Sequence, residues 1–285
     1  MPPPGRLASD RPNLQTVPRA RSLLLLLTQS QPATQPKREL RTVVANVRRA
    51  FIAPPGCLLL SADYRQLELR MAAHLAGDAH LRASLHESDP FAMLAGARRG
   101  VPPSQVPPDE RDAVKALAYG LLYGKGMLAL ARDMRCGVEE ARRLHDSLWA
   151  MMPRVQAWRE EVLSHCRAHK HVVTLGGRRR PLPHIESQHA GVRGQAERQA
   201  INTVCQGSAA DVVKRAMIAL QARITAAGME GQCQMIMQVY SFEGQQYEGA
   251  GRGVLGVHVA AFCGVAGWLL WQICVIALML LRADP

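Results

Sequence analysis

The chain has little from which a disulfide or cysteine–zinc framework could be built. Its seven cysteines, at 57, 136, 166, 205, 233, 263 and 274, show no C-x-x-C pair and no histidine spacing of the kind that makes a cysteine-based zinc site. They read as reduced packing residues of an intracellular protein. The opening MPPPGRLASD lacks a basic segment followed by an apolar core, so no signal peptide is expected. No internal repeat is evident. Acidic residues are scarce beside basic ones, 23 against 35, for a formal charge of +12. That balance points to a polyanionic partner, nucleic acid first, with a basic surface kept only for solubility as the alternative. What is present is enough apolar material, 48% of 285 residues, to bury a core in one large or two modest domains.

The organisation changes along the chain. Residues 1–20 are punctuated by Pro and Arg and read as extended, and 21–41 (RSLLLLLTQSQPATQPKREL and Arg41) read as a low-complexity insertion forming a surface loop. A Pro-Pro-Gly turn then leads into Cys57-Leu58-Leu59-Leu60, a short bounded apolar run that predicts a buried strand delivering Asp63 at its end. Apolar spacing of three and four predicts helices over 64–77, 109–122, 137–150, 153–168 and 194–228, broken by turns such as GGRRRPLP.

Three stretches carry chemistry. LSADYRQLELR, 60–70, places Asp63 after the strand and follows it with Glu68; a lone carboxylate there raises the question of a second one for a metal. In ERDAVKALAYGLLYG, 110–124, Arg111, Lys115 and Tyr119 step by four, a column of two cations and a ring on one helix face. Such a column suits a nucleoside triphosphate, and from spacing alone it suits a solvated face equally well. In GQAERQAINTVCQGSAADVVKRA, 194–216, Arg198, Asn202 and Gln206 also step by four and could reach minor-groove acceptors or sugar oxygens; a polar helix face is the bland alternative.

Taken in order, DYRQLELR, RDAVKALAYGLLYG, LGGRRRPLP and AERQAINTVCQGSAAD, with PNLQTVP at 12–18, resemble the polymerase module of family A DNA polymerases. The absence of a His in SDPFAML, together with GRRRPLP, looks most like the eukaryotic nu and theta branch. The resemblance implies an α+β fold, an incomplete right hand that is mostly helical. It places part of the palm with motif A in 1–75, fingers with motif B in 76–175, a palm helix and the start of a motif C strand in 176–239, and an unrelated Gly-rich and apolar tail in 240–285. It implies template-directed DNA polymerase activity in DNA repair or lesion bypass, a nuclear location, and primer-template DNA and dNTPs as partners. Asp63 and the Tyr64 carbonyl would hold Mg²⁺, two ions being expected; Lys115 would donate a proton to pyrophosphate. Arg111 and Lys115 would bind the triphosphate and Tyr119 would stack near the nascent pair. Glu68, partnered by Tyr123, would exclude a ribose hydroxyl. Arg6, Arg198, Asn202 and Gln206 would contact DNA. Departures are Arg65 where a small residue is usual, Asp112 where some relatives have a second cation, and Phe91 where bacterial relatives have a triphosphate-binding His. The chain begins just before the palm, so neither a thumb nor an exonuclease-like domain is expected ahead of Met1.

The second metal carboxylate is the missing piece. MIMQV at 235–239 resembles the start of motif C, but Tyr240, Ser241 and Phe242 then stand where His, Asp and Glu are expected. A neutral hydroxyl cannot share two divalent ions, and Glu243 would lie roughly 6.6 Å further along a strand. From the same point the sequence turns Gly-rich and then apolar: 259–281 has the length and polarity of a membrane span, the only part through which a membrane could be engaged. A real apolar tail and a mis-joined gene end are the competing readings, and the second accounts for both changes beginning at one residue.

Overall fold

The computed structural model describes residues 5–7, 21–29, 37–45, 52–62, 64–87, 89–134, 136–238, 254–257 and 277–282. In chain order these form β1 (Arg21–Gln29), β2 (Lys37–Ala45), β3 (Cys57–Ala62), α1 (Leu67–Leu75), α2 (Ala79–Glu87), α3 (Pro90–Arg99), a 3-10 turn at Pro103–Gln105, and α4 (Pro108–Leu122). There follow α5 (Met127–Met134), α6 (Val138–Met151), α7 (Pro153–His169), β4 (His171–Val173), β5 (Arg179–Pro181), α8 (Ala190–Asn202), a π turn at Thr203–Gly207, α9 (Ser208–Ala226), β6 (Cys233–Gln238), β7 (Val254–Val257) and β8 (Ala277–Arg282). Most of the described residues are helical, as the resemblance implies. The chain divides into two compact units, Met1–Arg6 with Gln66–Lys214, and Leu7–Arg65 with Arg215–Pro285.

The first unit is built on one apolar cluster. Leu69, Phe91, Leu122, Leu148, Met152, Ile185 and Ile201 are fully buried in it, drawn from α1, α3, α4, α6, the α6–α7 junction, the loop after β5, and α8. Helix α4 shows why the spacing works: Val114, Leu117, Ala118, Leu121 and Leu122 face the cluster at three- and four-residue steps. Pro108 opens the helix with its fixed φ, and Asp109 and Glu110 sit in the first turn, where the dipole favours carboxylates. It ends at Gly124, whose φ of 81° suits glycine alone, and a Cβ there would stand 3.2 Å from Arg159 Nη2. Asp78, wholly buried, anchors two helices: its Oδ1 accepts from Leu81 N at 2.9 Å and its Oδ2 from Arg154 N at 3.0 Å. The predicted helices at 64–77, 109–122, 137–150 and 153–168 correspond to α1, α4, α6 and α7 within a few residues. The predicted helix 194–228 is instead α8 and α9 joined by the π turn, and α2, α3 and α5 were not anticipated because each is only 8 to 10 residues long.

In the second unit β3 is the organising strand of a four-stranded sheet ordered β6-β8-β3-β7. β3 pairs in parallel with β7, Leu59 opposite Val254, and antiparallel with β8, Leu59 opposite Leu280. The buried Leu59 confirms a strand at the apolar run. One expectation is corrected here. Within 21–41, read as a surface loop, residues 21–29 form β1 and 37–41 open β2, antiparallel strands in which Arg21 lies opposite Ala45 and Gln29 opposite Lys37, while 30–36 lie outside the described residues. The physical reason is that neither 21–29 nor 37–45 contains Pro or Gly, so each can satisfy its backbone groups against the other. The end of the apolar stretch 259–281, from Ala277, is strand, paired to β3 and β6, and among the described residues no helix is long and apolar enough to cross a membrane. Residues 259–276 lie outside the described residues.

Candidate functional site

Helix α4 presents Arg111, Lys115 and Tyr119 half-buried, on the stripe beside its core-facing residues. The predicted column therefore exists. Lys115 Nζ lies 5.8 Å from the centre of the Tyr119 ring, and the Tyr119 and Tyr123 rings are 6.4 Å apart at 42°. Arg111 is oriented by carboxylates: Nε donates to Asp89 Oδ2 at 2.6 Å and Nη1 to Asp112 Oδ1 at 2.9 Å. A guanidinium has five N–H donors, so these two bonds leave capacity for an anion.

Asp89 links two helices through one side chain. Its Oδ1 caps α3 by accepting from Phe91 N at 3.1 Å and Ala92 N at 3.2 Å, while Oδ2 holds Arg111. Burial raises the pKa of this carboxyl, but the Arg111 hydrogen bond and charge with the two backbone donors outweigh burial, and the net shift is downward. The same turn explains Phe91: it is fully buried in the apolar cluster, so an aromatic at this position packs and does not reach out to a phosphate.

At the other end of α4 the Tyr123 hydroxyl donates to Glu68 Oε2 at 2.8 Å, and Arg6 ion-pairs with Glu68 Oε1. Glu68 stands in the first turn of α1, which is entered through Gln66 in a left-handed conformation, φ 55°. Cys205, in the π turn, donates its thiol to the Glu68 carbonyl at 3.2 Å, and burial pushes the thiol pKa up to about 12. Burial likewise pushes the Tyr123 hydroxyl far above its ordinary value, with Gln206 hydrogen-bonded to it in partial opposition. Tyr123 is thus a neutral donor. The predicted Glu68–Tyr123 pair is present, and Arg6 and Gln206, expected at DNA, converge on the same pair.

Arg198 is exposed on α8, with its Cγ 3.6 Å from where a Cβ on Gly124 would lie. Asn202 is half-buried, and its Oδ1 has no hydrogen-bond partner among the described residues. The wider π turn alters the angular step from Asn202 to Gln206, which the four-residue spacing could not show. Arg159 was not singled out in the sequence: it approaches Gly124 beside Arg198, and its guanidinium lies 5.6 Å from the Trp149 ring centre. Burial lowers its pKa against the opposing pull of Glu160 and Glu197. A cleft lined by Asp109, Glu110 and Ala113 opens on a different side of α4 and takes in none of the column. Tyr64 is half-buried and belongs to the second unit, whereas Asp63, Tyr240, Ser241, Phe242 and Glu243 lie outside the described residues. Among the described residues no group of three or more His, Cys, Asp or Glu is placed to hold a metal ion.

Residues 3–241 match the family model described as DNA polymerase family A. The chain is 37% identical over 238 residues to DNA polymerase I of Pseudomonas aeruginosa, covering 83% of this chain and 24% of that protein. It is also 37% identical over 238 residues to the thermostable DNA polymerase I of Thermus aquaticus, covering 83% and 26%. It thus spans about a quarter of the length of these relatives. Among solved structures it is similar to the POL domain of Pol1 from M. smegmatis in complex with DNA primer-template and dNTP, with a TM-score of 0.67 and 33% identity over 83% of this chain and 38% of that one.

Proposed function

The chain belongs to DNA polymerase family A, and from that premise we propose that it carries the nucleotide site of a template-directed DNA polymerase, with primer-template DNA and dNTPs as its partners. The observation that carries this reading is α4: Arg111 and Lys115 are aligned toward one face with Tyr119, and Tyr123 closes on Glu68 at 2.8 Å. Arg111 and Lys115 take the triphosphate and Lys115 is the proton donor to pyrophosphate. Glu68 guards the sugar. Arg198 and Asn202 face the duplex without reading sequence, while Arg6 and Gln206 meet the Glu68–Tyr123 pair.

Mg²⁺ is the metal of this reading, and the Asp63 carboxylate and the Tyr64 carbonyl, hard oxygen donors of the type it prefers, would hold it. When bound it lowers the pKa of a primer hydroxyl and neutralises developing phosphoryl charge. Ser241 offers no second carboxylate, so the chain as written is an impaired polymerase. The family match ends at residue 241, which supports reading 242–285 as outside the family pattern. The palm and fingers boundaries at 75, 175 and 239 belong to the same proposal. A nu/theta-like branch, with a role in nuclear DNA repair or lesion bypass, is supported by Phe91 in place of His and by GRRRPLP; the relatives quoted above are bacterial. The second reading, favoured by Ser241 alone, is a non-catalytic DNA-binding remnant.

Primer extension separates them. With Tyr240→His, Ser241→Asp and Phe242→Glu introduced together, extension is expected to rise at least about 10²-fold, the order lost when a reacting geometry is displaced, and Asp63→Ala is expected to abolish it. Primer-template binding without extension in the triple variant would favour the remnant.

A further inference from the structure

We infer that Arg159 is a further DNA-binding residue, holding a backbone phosphate of the primer-template at the C-terminal end of α4, beside Arg198. The inference rests on the polymerase reading above and adds to it a residue outside the motifs that carry the resemblance. Two cationic side chains meet at Gly124. From the point where a Cβ on that glycine would lie, Arg159 Nη2 is 3.2 Å away and Arg198 Cγ 3.6 Å. Arg159 comes from α7 and Arg198 from α8, and Gly124 follows Tyr123, the partner of Glu68. Glycine, with no side chain of its own, leaves the space between the two stems open.

Structural duties do not account for the Arg159 charge. The end of α4 closes on its own backbone, Lys125 N donating to the Gly120 carbonyl at 2.7 Å and Gly124 N to the Leu121 carbonyl at 3.0 Å, so those carbonyls need no cation. Lys125 is itself ion-paired with Asp133. The carboxylates that act on Arg159 are Glu160, which is exposed, and Glu197, which Arg167 holds at 2.9 Å. Burial outweighs both and lowers the Arg159 pKa. Its Nε is buried without a hydrogen-bond partner among the described residues, and its guanidinium lies 5.6 Å from the Trp149 ring centre. A guanidinium stays charged in such a place, and a cation partly stripped of water gains most from an anion that meets its planar fork. Phosphate has the matching geometry. The triphosphate is not that anion, because about 20 Å of helical rise separates Arg111 from Gly124. The DNA backbone, which the proposed function already brings to Arg198, is the phosphate source that remains.

The test is binding of a fluorescent primer-template to the full chain across a range of salt concentrations. Arg159→Met keeps an unbranched, helix-compatible side chain against Trp149 and removes the charge. It should reduce the slope of log affinity against log salt by about 1, with Arg159→Lys retaining the parental slope. Single methylphosphonate replacements along both strands supply a readout that a packing role would not move: one position should weaken the parent and leave Arg159→Met unaffected. Arg198→Ala separates this inference from the reading beneath it. If Arg198→Ala lowers the slope while Arg159→Met matches the parent, the inference is overturned and the polymerase reading stands. If the parent shows no salt-dependent binding of primer-template, both are overturned. Loss of dNTP affinity in Arg159→Met with an unchanged DNA slope would assign the guanidinium to the nucleotide and also overturn the inference.

Discussion

Tyr123 donates its hydroxyl to Glu68 across 55 residues of sequence at 2.8 Å, while Arg6 holds the other carboxylate oxygen of Glu68. The pair fixes the Glu68 side chain from both sides. If it guards the sugar pocket by bulk, Glu68→Ala should open space for a ribose hydroxyl. The chain bound to primer-template should then lose at least about tenfold of its preference for dNTP over the matching ribonucleotide, roughly 1.4 kcal/mol. Competition binding of the two triphosphates measures this, and an unchanged ratio would remove Glu68 from sugar selection.

Asp89 should make stability depend on pH in one direction. Its pKa is lowered in the folded chain despite burial, through Arg111 and the α3 backbone donors. A lowered folded value means the contribution is fully present above the ordinary carboxylate value of about 3.9 and is lost as pH falls through the folded value. Urea midpoints followed downward from about pH 6 should therefore fall less steeply for Asp89→Asn than for the parent chain. Equal slopes would mean that the Arg111 bond does not hold the carboxylate in its charged form.

Asp78 is a stability residue. It caps α2 and receives the first turn of α7, and no part of it is exposed. Asp78→Ala removes two caps and leaves two backbone donors without their acceptor, at a cost of about 2–4 kcal/mol. Chemical denaturation reads this directly; a loss under about 0.5 kcal/mol, the range of an ordinary surface substitution, would contradict the double-cap account.

Arg198 is exposed on α8, and the proposed function gives it a contact with the duplex. Arg198→Ala should weaken primer-template binding about uniformly across sequences and reduce the slope of log affinity against log salt by about 1. Weakening confined to particular sequences would instead assign it to base recognition.

How much of this was legible in the sequence follows from what each feature depends on. The α4 column needed only helical periodicity, and the Glu68–Tyr123 pair came from the resemblance, because no local spacing relates residues 55 apart. Asp89 was passed over as part of SDPFAML since its role lies in reaching Arg111 on another helix. Arg159 was passed over because its approach to Gly124 depends on how α7 meets the end of α4. The π turn was invisible, since the residues from Thr203 to Gly207 carry no signal that separates a wide turn from an α-helical one. The hairpin β1–β2 was misread because leucine repetition looks like low complexity until a partner of equal length is found.

The most direct measurement is equilibrium binding of a correctly paired dNTP to the chain with primer-template, compared between the parent and Lys115→Ala. Binding needs the α4 face and does not need the Ser241 position to carry a carboxylate. Saturable binding that Lys115→Ala weakens by about tenfold or more, with primer-template affinity retained, is the predicted result. Equal dNTP affinity in the two chains, or none in either while DNA still binds, would contradict the assignment of α4 as a nucleotide site.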